Sequence, residues 1–319
     1  MSLIRSLEAR AKDVPKRIGF PEFEEERVLQ AIARIKRKKT AIPVLIGDPK
    51  KISMKNVEII DITDPDLVEK LVKRFETIRK RRKKPVTKKD LDRVRKDPIA
   101  LSMVLLNMGR VDAVITGASH STAHTLRNAF QIIGVERNIS KASSFFIMDK
   151  HVRDFEDIKL FADCAVQVNP DSKELAEIAY LTAKTARQLG MTARVALLSF
   201  STKGSASLPE SKKVRRAVGI VKQRDPTLKV DGELQFDAAL DPETAKRKGA
   251  FDELGGIANV LIFPELESGN IGYKIMRMYG KYDALGPFLQ GLKKPVIDLS
   301  RSVSVDEIVD IVTVVSAIY

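Results

Sequence analysis

The chain is poor in cysteine, histidine and tryptophan, and each shortage closes off a class of chemistry. Its single cysteine, Cys164, allows no internal disulfide and no cysteine-cluster metal site. That usage fits a reducing cytoplasm. Three histidines, His120, His124 and His151, are too few for a histidine-rich metal centre. With no tryptophan, base-stacking recognition of single strands is poorly supplied. The opening Met1-Ser2-Leu3-Ile4-Arg5 runs into charged residues without a long apolar region, so no secretory signal is expected. The longest apolar run, 308–318, is interrupted by Asp310. It is too short to cross a bilayer and reads as a buried helix.

What is present is length and positive charge. The 319 residues exceed one usual domain and suggest two. Fifty-six Lys and Arg against 42 Asp and Glu give a formal charge of +14, which draws anions without saying which. Nucleic acid is one class and small polyanions are another.

Apolar strands alternate with amphipathic helices. Strands are expected at 41–48, 57–61, 111–116, 144–148, 165–168, 195–200, 260–263 and 296–299. Helices are expected at 66–82, 121–133 and 174–189, the last ended by Gly190. This alternation implies a largely parallel sheet covered on both faces.

Four segments could carry chemistry. Gly117 to Arg127 follows a strand and opens a helix; its N–H groups, with Ser121, Thr122 and Thr125, suit an anion, and Arg127 could clamp a phosphate. The plainer reading is an N-cap and a surface arginine. Ser199 to Ala206 is a hydroxyl-rich loop after a strand, without the glycine spacing of a P-loop. Asp298 to Glu307 brings Ser300 and Arg301 to the carboxyl edge of the sheet, where α/β proteins bind ligands. There Ser304-x-x-Glu307 also reads as a capping box. Arg79 to Lys84 is a run of six basic residues, read either as a solvated loop or as a phosphate-binding segment. Cys164 reads as a buried structural thiol.

Taken together and in order, these segments resemble the phosphotransacetylase family. The resemblance rests on "FPE" (20–22) with "ERVL" (26–29), "TGASHSTAHTLRNA" from Thr116, "FADCAV" (161–166) and "SFSTKGSA" (199–206). It continues through "DGELQFDAA" (231–239), "FPELESGNIGYK" (263–274), "GPFLQGLKKPV" (286–296) and "DLSR" (298–301). The "GELQFDAA" and "SGNIGYK" versions resemble the acetyl branch more than the butyryl branch.

The resemblance implies two three-layer αβα domains with an interdomain cleft, an isocitrate-dehydrogenase-like fold. Residues 1–141 with 294–319 would form domain I and 142–293 domain II. It implies a homodimer with no tightly bound cofactor and no metal. The implied reaction is reversible transfer of an acetyl group between acetyl phosphate and coenzyme A, releasing inorganic phosphate. By matched position Ser300, Arg301 and Glu307 would be catalytic. Arg79 would bind coenzyme A, and Arg127, Ser121, Thr122, Ser201 and Thr202 would line the substrate site.

Ile297, Ser302, His124 and Asn128 stand where the family pattern has Asn, Gly, Asp and Pro, and Glu307 stands in place of Asp. These departures motivate a second reading, a non-catalytic relative that binds acyl phosphate or coenzyme A. A basic nucleic-acid-binding protein is a third.

Overall fold

A computed structural model describes residues 3–150 and 157–319, so His151 lies outside the described residues. The chain divides into two compact units. One is Ile4–Glu136 with Leu292–Tyr319, and the other is mainly Arg137–Gly291.

The first unit carries strands β1 (Arg17–Phe20), β2 (Ile42–Gly47), β3 (Glu58–Asp61) and β4 (Ala113–Thr116). Strand β11 (Val296–Asp298) returns from the far end of the chain. All pairs are parallel, in the order β3-β2-β1-β4-β11. The chain builds outward from β1 in one direction, then reverses at β4. Because crossovers between parallel strands are right-handed, such a reversal puts helices on both faces.

Its helices are α1 (Leu3–Asp13), α2 (Glu26–Lys38), α3 (Pro65–Arg81), α4 (Lys88–Arg95), α5 (Pro98–Asn107) and α6 (Thr122–Asn128). Helix α13 (Val305–Ile318) closes the unit. Helix α2 buries Val28, Ala31, Ile32 and Ile35, a single stripe at helical spacing, and packs against α13. Helix α5 is buried continuously from Ile99 to Leu106, because it lies between the sheet and α3. Helix α6 runs on into a π-helical turn, Ala129–Ile133.

The second unit pairs β5 (Ser143–Asp149), β6 (Lys159–Ala162), β7 (Arg194–Leu198), β8 (Lys229–Leu234), β9 (Val260–Ile262) and β10 (Asp283–Gln290) in the order β10-β5-β6-β9-β7-β8. The β10–β5 and β5–β6 pairs are antiparallel and the rest parallel. Its helices are α7 (Ser172–Gln188), α8 (Pro209–Arg224), α9 (Phe236–Leu240), α10 (Pro242–Arg247), α11 (Phe251–Leu254) and α12 (Leu266–Met278). Its core includes Phe146, Met148, Phe161, Leu198, Leu261 and Phe263. Both units are thus αβα layers.

One strand expectation fails. Residues 165–168 form no strand; the paired segment lies earlier, at β6. The buried Asp163 carboxylate accepts the amides of Ala165 (2.9 Å), Val166 (3.2 Å) and Gln167 (2.9 Å), so these N–H groups are taken by a side chain and cannot join a ladder. Cys164 is fully buried beside Asp163, and burial pushes its thiol well above the usual range. The thiol is therefore structural. Gly269 is glycine because a Cβ there would come within 2.3 Å of the Asp163 carbonyl.

Candidate active site

The order of the first sheet reverses between β1 and β4, and ligands of such sheets bind at the carboxyl edge beside that point. Three connections leave the edge there. Pro21-Glu22 follows β1, Gly117 to Ser121 follows β4, and Leu299 to Ser304 follows β11.

Glu22 organises the first two, a role the sequence did not reveal. Its side chain is 1% exposed. Oε2 accepts the Ala118 N–H (2.9 Å), and Oε1 accepts the N–H groups of Ser119 (2.8 Å) and His120 (3.1 Å) and the Ser119 hydroxyl (2.8 Å). The ring Nδ1 of His120 also lies 2.8 Å from Oε1. The N–H groups after β4, read from sequence as an anion cradle, are therefore already filled by this chain's own carboxylate.

Gly117 takes φ +102°, and a Cβ on it would sit 2.6 Å from Asp298 Oδ1 and from both Leu299 N and O. Glycine is thus required for the β4 and β11 connections to meet. Burial pushes the Asp298 carboxyl above its usual range, and the Thr122 and Thr125 hydroxyls pull it partly back. They lie close enough to lower it but in a geometry that completes no hydrogen bond among the described residues.

Arg27, on α2, binds the third connection to the second. Its guanidinium donates to the carbonyls of Arg301 (2.8 Å), Val303 (2.9 Å) and Ala118 (3.1 Å) and to Glu25 Oε1 (2.8 Å). The turn is also closed by Val303 N–H to Ser300 O (3.0 Å). With its carbonyls held inward, the turn presents Ser300, Arg301 and Ser302, all exposed.

Arg301 and Arg127 are both exposed, and neither guanidinium has an ion-pair partner among the described residues. Ser121 is the N-cap of α6, and its hydroxyl accepts the His124 N–H at 3.4 Å. Thr122 is exposed in the first turn. Glu307 completes a capping box at the start of α13: Oε2 accepts the Ser304 N–H (2.7 Å) and the Ser304 hydroxyl accepts the Glu307 N–H (3.2 Å). Ser121, Thr122, Ser300, Arg301 and Glu307 thus lie in the connections and first helical turns at this edge, with Arg127 one turn further along α6.

Arg79 stands elsewhere in the same unit. Helix α3 begins at the carboxyl edge after β3, so its last turn, with Arg79, lies about 20 Å along the helix at 1.5 Å per residue. The basic run is not one surface. Lys80 pairs with Glu76, and Arg82 turns inward. Arg82 donates to the carbonyls of Phe130, Gln131, Ile132 and Ile133 at 2.6–3.0 Å, capping the end of the helix that carries Arg127. Gly134 leaves room for it, since a Cβ there would lie 2.6 Å from that guanidinium. Arg93 grips the same helix through Asn128 (3.0 Å) and Gln131 (2.9 Å).

Ser201 and Thr202 belong to the second unit and are buried. The Ser201 hydroxyl donates to Glu233 Oε1 (3.0 Å) and accepts the Ala206 N–H (2.9 Å). The Thr202 hydroxyl is engaged with Gln235. Glu233, fully buried, also accepts Gly204 N–H (2.8 Å) and Arg215 (2.9 Å). The two hydroxyls therefore fasten the loop after β7 to β8. Among the described residues no group of His, Cys, Asp and Glu side chains could hold a metal ion. No helix among them is long and apolar enough to cross a membrane.

Residues 2–316 match the family pattern described as phosphate acetyl/butaryl transferase. A phosphate acetyltransferase of Bacillus subtilis is 41% identical over 312 residues, covering 96% of this chain and 95% of the relative. One from Clostridium acetobutylicum is 42% identical over 326 residues, covering 98% and 97%. A crystal structure of a phosphotransacetylase from Streptococcus pyogenes superposes with a TM-score of 0.92 at 39% identity, covering 99% of this chain and 98% of the other.

Proposed function

Because the chain belongs to the phosphate acetyl/butaryl transferase family, we propose that it is a phosphate acetyltransferase. It moves an acetyl group reversibly between acetyl phosphate and coenzyme A. The observation that carries the reading is the pair of exposed guanidiniums, Arg301 and Arg127, which have no carboxylate partner among the described residues of a doubly wound sheet. Such groups suit a phosphate that must be held and then released.

In the forward direction the coenzyme A thiolate attacks the acetyl carbonyl carbon of acetyl phosphate. The C–S bond forms, the C–O bond to phosphorus breaks, and its electron pair leaves on the phosphate oxygen. Arg301 neutralises the charge that grows on that phosphate, and the Ser300 hydroxyl donates to one of its oxygens. Arg127 attracts the same dianion from α6, with Ser121 and Thr122 beside it. Ser201 and Thr202 act through the loop after β7, which they brace.

The thiol proton needs an acceptor, and Glu307 is the proposed one. A thiol near 8.5 and a carboxylate near 4.3 differ by about 4 units, roughly 6 kcal/mol uphill in water. The Ser304 amide holds Oε2 of Glu307, so the proton would go to Oε1 while the cap stays closed. Arg79, far along α3, binds the nucleotide end of coenzyme A, a substrate long enough to reach both places.

The two compact units are proposed as the two domains of the enzyme. The protein acts in the cytoplasm, with coenzyme A as a substrate and no tightly bound cofactor. The partner in a homodimer is a second copy, meeting it on α12. That helix exposes Ile271, Ile275 and Met278 along one face, with Tyr279 just beyond. The inward turn of Arg82 breaks the basic run that a nucleic-acid reading needs.

The test is thioester absorbance with coenzyme A and acetyl, propionyl or butyryl phosphate. Acetyl phosphate is expected to give the highest kcat/KM. No thioester from any of the three would refute the assignment.

A further inference from the structure

Ser300 and Ser302 flank Arg301 on the turn after β11, with their hydroxyl oxygens 2.9 Å apart. The Ser302 N–H also donates to the Ser300 hydroxyl oxygen, at 3.3 Å. A serine hydroxyl has one proton and two acceptor lone pairs. The backbone amide of Ser302 occupies one lone pair of Ser300. If the Ser302 hydroxyl donates to the second, Ser300 can accept nothing more, and its own proton must point out of the turn. In the opposite sense the outward proton is that of Ser302. The pair therefore always offers one hydroxyl proton beyond itself, polarised by the hydroxyl behind it.

Three carbonyls of the turn already have donors. The Ser300 carbonyl accepts the Val303 N–H, and those of Arg301 and Val303 accept from Arg27. Ser300, Arg301 and Ser302 are all exposed, and the Arg301 guanidinium has no ion-pair partner among the described residues.

We propose that Ser302 is a positioning residue that turns the Ser300 hydroxyl outward as a donor to the anionic oxygen of the acyl phosphate, or of phosphate in the reverse direction. The proposal rests on the phosphate acetyltransferase reading. The charged oxygens of an anion arriving beside Arg301 can only accept, so they select the sense in which Ser302 donates to Ser300 and Ser300 donates to the ligand. Removing the Ser302 hydroxyl leaves Ser300 in place, but without the second donor that directs its proton.

The test is a cycle of Ser302→Ala, Ser300→Ala and the double variant, with Ser302→Thr as the conservative control. Ser302→Ala keeps the backbone amide and is expected to lower kcat/KM for acetyl phosphate about 3- to 10-fold, as for one directed hydrogen bond. The KM for coenzyme A and the melting temperature should not move. Ser302→Thr should restore most of the activity, and in the Ser300→Ala background the loss from Ser302→Ala should vanish. An undiminished loss in that background, or wild-type kinetics for Ser302→Ala, would overturn the proposal.

Binding of inorganic phosphate, followed by calorimetry, reads the same pair without turnover. There Ser302→Ala should weaken phosphate about 3- to 10-fold only when Ser300 is present. Equal phosphate affinity in wild type and Ser302→Ala overturns the proposal. If wild type binds phosphate in this Ser300-dependent way yet makes no thioester, the pair stands and the acetyltransferase reading falls.

Discussion

Glu22→Gln probes the least expected part of the site. The substitution keeps size and shape and removes only charge and one acceptor. Glu22 faces donors on both oxygens, with Ala118 N–H on Oε2 and Ser119 N–H, the Ser119 hydroxyl and His120 N–H on Oε1. Glutamine has one acceptor oxygen, so whichever way the amide turns, its NH₂ meets a backbone N–H beside a side chain that is only 1% exposed. Leaving such buried donors unsatisfied costs about 1–3 kcal/mol. The bonds that survive lose their charge assistance, which is roughly half their strength. The sum is about 4 kcal/mol, or a fall of about 1–4 M in the urea midpoint of this unit at typical slopes. Turnover should drop at least about 10-fold, because the same loop is tied through Arg27 to the Ser300–Val303 turn. Urea unfolding and steady-state kinetics on one preparation decide the matter. A midpoint within about 0.3 M of wild type with kcat unchanged would refute the reasoning, since that is well below the expected fall.

Arg301→Ala is expected to lower turnover at least about 100-fold, as for loss of one electrostatic stabiliser, with the melting temperature nearly unchanged; near-normal turnover would remove its phosphate role. Glu307→Gln separates base from cap. Glutamine also completes a capping box, so stability should hold while turnover falls at least about 10-fold if Glu307 takes the proton, whereas Glu307→Ala should in addition lose about 1 kcal/mol in thermal unfolding. Arg82→Ala should cost about 3 kcal/mol by freeing the carbonyls of Phe130 to Ile133, and Arg82→Lys should recover little, because an ammonium has no planar fork to span them; full stability of the lysine variant in urea would contradict this. Ile275→Glu on α12 should give a monomer by light scattering, and a dimer of unchanged size would move the contact elsewhere.

The sequence by itself determined the class of fold. Apolar strands such as 42–47 and 113–116, each followed by a polar or glycine turn, dictate a buried parallel sheet, because both faces must be covered. The capping box at Ser304 and Glu307 was legible too, since it is a local contact between residues three apart. Strand β1 was not singled out as a strand, and the antiparallel β10 escaped because its Gly286-Pro287 breaks the pattern of a buried strand.

What only the tertiary structure decided is which polar groups remain free. Glu22 is 97 residues from Ser119, Arg82 is 50 from Ile132, and Arg27 is 274 from Arg301, so no local pattern couples them. Each became structural because a buried donor or acceptor must find a partner wherever the chain places one. A run of basic residues looks uniform in sequence, yet folding spends Arg82 on carbonyls and pairs Lys80 with Glu76. Residue type sets what a side chain is able to bind, and only packing over long range sets what it has left to bind with.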